Sequence, residues 1–194
     1  MKIQEDNFRE LLTKSLGFTR KTDEVHDILY KYYEDINAEL SVYFTEEKLN
    51  YPPGLEANRD TTKNFSQAEN AVVFECVASL FDKGYKPELI ILEKGMPGGH
   101  GDTGGYCDII VQDNNKKPYL LVECKTRTGE KNDEFSKAWK RMQNDLAVSY
   151  SIIIIVSDKR NIFVYMPQTS QMMNYRCEPS KGQPFRVCQC LILH

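Results

Sequence analysis

Apolar positions in this chain recur first with helical spacing, then with the alternation of strands. Phe8, Leu11, Leu12 and Leu16 fall on one helical face, and Gly17 stands where a helix C-terminus favours glycine. Aromatic residues crowd the next stretch, among them Tyr30, Tyr32, Tyr33, Tyr43, Phe44 and Tyr51. Residues 40–51 read as a hairpin around a polar turn at 45–48, and an amphipathic helix over 24–40 fits equally well. Tyr51-Pro52-Pro53-Gly54 ends whatever precedes it. Residues 54–65 are polar and aperiodic and predict a linker, so 1–59 read as an extension of uncertain structure.

From Ser66 the pattern sharpens. Ser66-Gln67-Ala68-Glu69 has the form of a capping box, with Ser66 as N-cap. Val72, Val73, Cys76, Val77 and Leu80 then mark one face of a helix that stops at Gly84. Strands are predicted over 88–93, 106–112 and 118–124, the last two joined by the turn-forming run Asp113-Asn114-Asn115-Lys116-Lys117. A second helix over about 133–146 carries Phe135, Ala138, Trp139 and Met142 on one face, and a strand over 151–156 follows. The order α-β-β-β-α-β predicts an α/β domain with a mixed sheet flanked by helices. Residues 60–158 make up this core, and no internal repeat interrupts it.

Composition narrows the functional classes. The longest apolar run, 152–156, is far too short to span a bilayer, and the N-terminus lacks an apolar stretch of the signal-peptide type. The six cysteines form no C-x-x-C pair or zinc-knuckle spacing. Reduced thiols and a cytoplasmic location are therefore expected. The net charge of −3 is unlike the basic surplus of a stand-alone DNA-binding module. If DNA is the partner, other domains must supply most of the phosphate grip.

Two predicted strands are interrupted by charge. Asp108 stands among Cys107, Ile109, Ile110 and Val111, while Glu123 and Lys125 end the run Leu120-Leu121-Val122. An unpaired buried charge costs several kcal/mol, so charges at matching depth on neighbouring strands imply a cation or a partner between them. Alternation puts Glu123 and Lys125 on one face and Cys124 on the other. A turn at 113–117 brings Asp108 level with Glu123 to within about two residues. Two carboxylates and an ammonium then converge, as phosphodiester hydrolysis with Mg²⁺ requires. A cross-strand salt bridge accounts for the same spacing.

The span from Asp108 to Glu123-Cys124-Lys125 resembles the PD-(D/E)XK nuclease signature, with Cys107 where the signature has proline. The surrounding text, FSQAENAVVFECVASLFDKGYKPELIILEK, GGHGDTGGYCDIIV and KPYLLVECKT, resembles the N-terminal nuclease region of type I restriction-enzyme R subunits. It resembles still more the same region of fused restriction–modification proteins, in which an adenine-specific DNA methyltransferase follows. The likeness covers about residues 60–143.

The resemblance implies a restriction-endonuclease-like fold and a Mg²⁺-dependent endonuclease acting on double-stranded DNA. It implies methyltransferase, specificity or helicase domains as partners, in the same chain or as subunits. Asp108, Glu123 and the Cys124 backbone carbonyl would be metal ligands and Lys125 the catalytic lysine. Glu69 matches an acidic residue often carried on the first helix of this superfamily, and it is equally the capping-box residue. The glycine-rich run GMPGGHGDTGG lacks the P-loop pattern and reads first as a plain connection and second as a close backbone approach to a phosphate strand, with His100 a solvated loop histidine. Lys131, Lys137, Lys140 and Arg141 read first as a solvated helix face and second as phosphate contacts.

The likeness ends after Gln143-Asn144. Related nucleases follow the second helix with Gln-x-x-x-Tyr, whereas Gln143 has Ala147 four positions on. Residues 159–194 form an atypical tail with Met172-Met173, Cys177, Cys188 and Cys190. Back-translating 159–174 and reading from each codon's third base permits K-K-Y-L-C-L-Y-A-S-D-F-T-D-D-E, which resembles a strand expected downstream in this family. The expectation is therefore a fragment of a larger protein whose frame slips near residue 145. Two alternatives stand beside an active nuclease: a catalytically silent remnant, and a non-catalytic DNA-binding or assembly module.

Overall fold

The computed structural model describes residues 5–21, 26–95, 105–125, 152–157, 161–166 and 171–176. At Ala68, Tyr119, Lys125 and in the strands from Ile152 onward the description is of the backbone. The second predicted helix, the glycine-rich run with His100, and Lys131, Lys137, Lys140 and Arg141 lie outside the described residues.

The chain opens with α1 (Glu5–Glu10), which continues as a π-helical turn over Leu11–Ser15. Its Phe8, Leu12 and Leu16 are buried, and Gly17 turns the chain at φ +73°. Strands β1 (Thr19–Lys21), β2 (Ile28–Tyr33), β3 (Ala38–Tyr43) and β4 (Lys48–Asn50) form a sheet in that order. Of the two readings of this stretch, the hairpin is the one realised, and the described part of 24–40 holds strands with a short 3-10 turn at Glu34–Ile36 in place of an amphipathic helix. Asn37, in the left-handed region at φ +48°, makes the β2–β3 turn. Leu29, Tyr33, Ala38, Leu40 and Val42 alternate onto the buried face of the sheet.

Residues 54–65 are no linker. β5 (Glu56–Ala57) adds a parallel strand to a second sheet, and a 3-10 turn follows at Asp60–Lys63. Phe65 is buried among Phe8 and Phe44, at ring centroid distances of 5.5 and 5.6 Å. Asn70 anchors the segment, donating its side-chain amide to the carbonyls of Thr61 (2.7 Å) and Asn64 (2.8 Å). A two-residue strand has no periodicity to detect, which is why polarity alone misread it.

Helix α2 (Ala68–Asp82) begins one residue later than the capping box predicts. Gln67 holds the N-cap position without a side-chain cap bond, while the Ser66 hydroxyl turns back to Asn64 Oδ1 at 2.5 Å. At the other end the Tyr85 amide donates to Leu80 O and the Gly84 amide to Phe81 O. Gly84 at φ +81° completes this Schellman-type stop. Buried side chains of α1, the first sheet, α2 and the second sheet form one continuous apolar cluster.

The second sheet holds seven strands in the order β11-β10-β9-β8-β7-β6-β5. They are β5, β6 (Ile90–Gly95), β7 (Tyr106–Gln112), β8 (Pro118–Lys125), β9 (Ile152–Ser157), β10 (Asn161–Met166) and β11 (Gln171–Arg176). β8 pairs antiparallel with β7 and parallel with β9, so the sheet is mixed. With α2 packed on it, this is the α/β architecture of restriction-endonuclease-like proteins. The first predicted strand starts two residues late because Pro87–Leu89 form a 3-10 turn. The β7–β8 turn is held by Asp113, whose Oδ1 accepts from the amides of Asn115 and Lys117, both at 2.9 Å.

Candidate active site

Register decides which side chains meet. Ile109 pairs with Val122, Ile110 with Leu121 and Val111 with Leu120 across β7–β8. One step further along the same ladder sets Asp108 opposite Glu123. Ile109, Val122 and Cys124 belong to the apolar cluster that includes α2, and the Cys124 and Cys76 sulfurs lie 3.9 Å apart. Alternation assigns Asp108 and Glu123 to the other face, in line with the buried row Ile91, Ile110 and Leu121. Lys125 takes the next position of that face on β8.

Both carboxylates are buried, Asp108 at 9% and Glu123 at 4% exposure. Asp108 Oδ2 accepts a hydrogen bond from the Cys124 amide at 2.5 Å, which ties the Asp108 side chain to the strand bearing Glu123 and Lys125. A carboxylate has several acceptor positions, and this bond takes one of those on Asp108. Cys107 reports how close the charges are. Burial pushes its thiol upward, and the negative charges of Glu123 and Asp108 push the same way. A thiol so held stays protonated and is no nucleophile.

Glu69 lies in the first turn of α2, and that helix packs against the opposite face of the sheet. Among the described residues no group of three or more His, Cys, Asp or Glu side chains gathers closely enough to hold a metal ion by side chains alone. The donors at hand are two carboxylates and the main-chain carbonyl of Cys124. An all-oxygen set of this kind fits a hard cation such as Mg²⁺, which keeps several of its own waters.

A family model described as the type I restriction enzyme R protein N terminus matches residues 69–176, more than half of the chain. The chain belongs to this family. The match opens on the first turn of α2, spans the β7–β8 site and continues to the end of β11. It thus passes Asn144, where the likeness legible in the sequence ends. For this R-protein N-terminal domain, three strands beyond that point pair in one sheet with the site-bearing strands. No curated protein matches the chain. Among the described residues no helix is long and apolar enough to cross a membrane.

One acidic group near the core escaped the sequence reading. Glu75 lies on α2 between buried Phe74 and Cys76, and desolvation pushes its carboxyl up to about 7. Part of its surface still reaches solvent, so protein crowding on most sides, not complete enclosure, produces the shift. Its position off the main apolar stripe gave no signal.

Proposed function

We propose that this domain is the Mg²⁺-dependent DNA-cleaving module of a restriction–modification enzyme, working within a larger assembly. The reading rests above all on Asp108 and Glu123, buried on one face of adjacent strands and tied through the Cys124 amide. Two neighbouring buried carboxylates resist desolvation and repel one another, and a cation bound between them relieves both costs. Membership of the R-protein N-terminal family supports the reading.

In this proposal Asp108, Glu123 and the Cys124 carbonyl hold Mg²⁺. The bound ion supplies charge neutralisation at the scissile phosphate and acidifies water for attack. Asp108 is held in place by the Cys124 amide. Lys125, two residues beyond Glu123 on the same face, orients the attacking water and faces the phosphate charge. Glu69 enters only through the resemblance, as a helix-borne acidic residue. Double-stranded DNA is the substrate, and methyltransferase, specificity or helicase domains supply the grip that a chain of net charge −3 lacks. A cytoplasmic setting goes with that role.

The deciding experiment is cleavage of plasmid DNA with and without Mg²⁺, comparing wild type with Asp108→Asn, Glu123→Gln and Glu69→Gln. Metal-dependent nicking lost in the first two variants supports the proposal. Nicking that survives both refutes it. A catalytically silent remnant is the second reading, favoured by Ala147 standing where the supporting tyrosine of related nucleases would be.

A further inference from the structure

Glu93 is a non-glycine residue inside β6 with φ +50°, a conformation that bulky side chains seldom adopt. The pairs Leu92–Ile109 and Lys94–Cys107 bracket it, so its register position is opposite Asp108. Backbone strain of this kind persists only where its surroundings hold it, and it concentrates at functional sites. Here the surroundings are visible. The Asn58 amide and the Asn58 side-chain amide both donate to Leu92 O, at 3.2 and 3.1 Å, pinning the next residue, Arg59, against β6. Arg59 Nη1 then meets Glu93 Oε2 at 3.3 Å.

The same guanidinium lies over the ring of Tyr106, its carbon 4.8 Å from the centroid. Tyr106 is on β7, two strands away from β5, and its ring runs past Gly95, its ladder partner. Gly95 presents no side chain where Arg59 crosses β6. Tyr106 and Tyr32 are the large hydrophobic residues left exposed among the described residues, at 46% and 50%. Tyr32 has its hydroxyl bonded to Asn37, within its own turn. Tyr106 instead stands two residues before Asp108, on the same face of β7 and about 7 Å away along the strand.

We propose that Arg59, laid on Tyr106 and held by Glu93, is a DNA-backbone contact that seats the strand beside Asp108 and Glu123. The inference rests on the nuclease reading above and names how its substrate is held. One edge of the guanidinium is taken by Glu93, and the Arg59 side chain as a whole is half exposed, at 47%. Planar donors of this geometry suit phosphate oxygens. The aromatic ring below fixes the plane of the fork and offers a face to a sugar or base. A strand whose phosphate lies at the carboxylates brings a neighbouring phosphate within reach of Arg59.

The test measures binding of a fluorescent duplex to the full chain in EDTA, where no metal-dependent cleavage occurs, at several salt concentrations. Arg59→Ala is expected to weaken binding about fivefold or more and to lower the salt slope by about one. Arg59→Lys should restore the slope but not the full affinity, because an ammonium lacks the planar fork. Lys63→Ala, an exposed charge on the neighbouring 3-10 turn, is the control and should have little effect. Equal affinity and slope in Arg59→Ala and wild type overturn the inference, as does an equal loss in Lys63→Ala. Duplex binding that depends on Arg59 without Mg²⁺-dependent nicking sinks the nuclease reading alone. No duplex binding by wild type even at low salt overturns the inference alone, since the nuclease reading is judged by nicking and assigns most of the grip to other domains.

Discussion

The carboxylate of Asp108 accepts a hydrogen bond from the backbone amide of Cys124, 2.5 Å away on the neighbouring strand. The bond makes one residue of the site a brace for the strand that carries the other two. Asp108→Ala leaves a buried amide without an acceptor, whereas Asp108→Asn keeps an oxygen for it. Asp108→Ala is therefore expected to be about 1–3 kcal/mol less stable than Asp108→Asn by urea denaturation. Equal stability of the two variants would show that the bond carries no weight.

Metal binding should appear as stability. At a Mg²⁺ concentration 100 times its dissociation constant, the wild-type chain is expected to gain about 2.7 kcal/mol. Glu123→Gln should lose that gain and, without metal, melt no lower than wild type, because one of two repelling buried carboxylates is gone. Thermal melts with and without Mg²⁺ make the comparison. A Mg²⁺ response retained in Glu123→Gln would exclude Glu123 as a ligand.

Lys125→Ala should separate binding from chemistry. Calorimetry is expected to show divalent-ion affinity within about threefold of wild type, while nicking falls by roughly two to four orders of magnitude. Loss of both together would give Lys125 a structural role instead.

Glu75 predicts a pH dependence of definite sign. Its carboxyl is raised from 4.5 to about 7 in the folded chain, so the folded state binds the extra proton between those values. Its stabilising contribution is complete below about pH 4.5 and is lost as pH rises through 7. Glu75→Gln, which cannot ionise, should gain about 1–3 kcal/mol over wild type at pH 8 and little at pH 4.5. Parallel stability profiles for the two proteins would refute this.

The tail is a question for the gene. The R-protein family match and the β10–β11 ladder both continue to Arg176, through residues the codon reading assigns to another frame. Nucleotide sequence through codons 140–194 is expected to show a frame that stays open through codon 176 and relatives that align to it. An open frame that continues only after a shift near codon 145 would restore the out-of-frame reading.

How much of this was legible in the sequence depended on whether the signal was local. β7 and the start of β8 were read to the residue, because an apolar run, an Asp-Asn-Asn turn and another apolar run specify a hairpin and its register together. Asp108 and Glu123 stood out for the same reason, as charges in strands with no room for them. β5 was missed because two residues carry no period. The Ser66 cap was misplaced because Asn64 competes for the same hydroxyl. Arg59, Glu93 and Tyr106 were beyond reach, since their meeting depends on a backbone torsion at Glu93 and on strands brought together by the fold.

β8 is bound on one side by a neighbour made just before it and on the other by β9, made after residues 126–151. A ribosome adding about 5–20 residues per second therefore releases the β7–β8 hairpin seconds before the strand that covers its far edge. In that interval the strand carrying Glu123 and Lys125 offers a row of unpaired amides and carbonyls to any other nascent chain. The candidate site is thus assembled on the open edge of a growing sheet, and its completion waits on the parallel return of the chain.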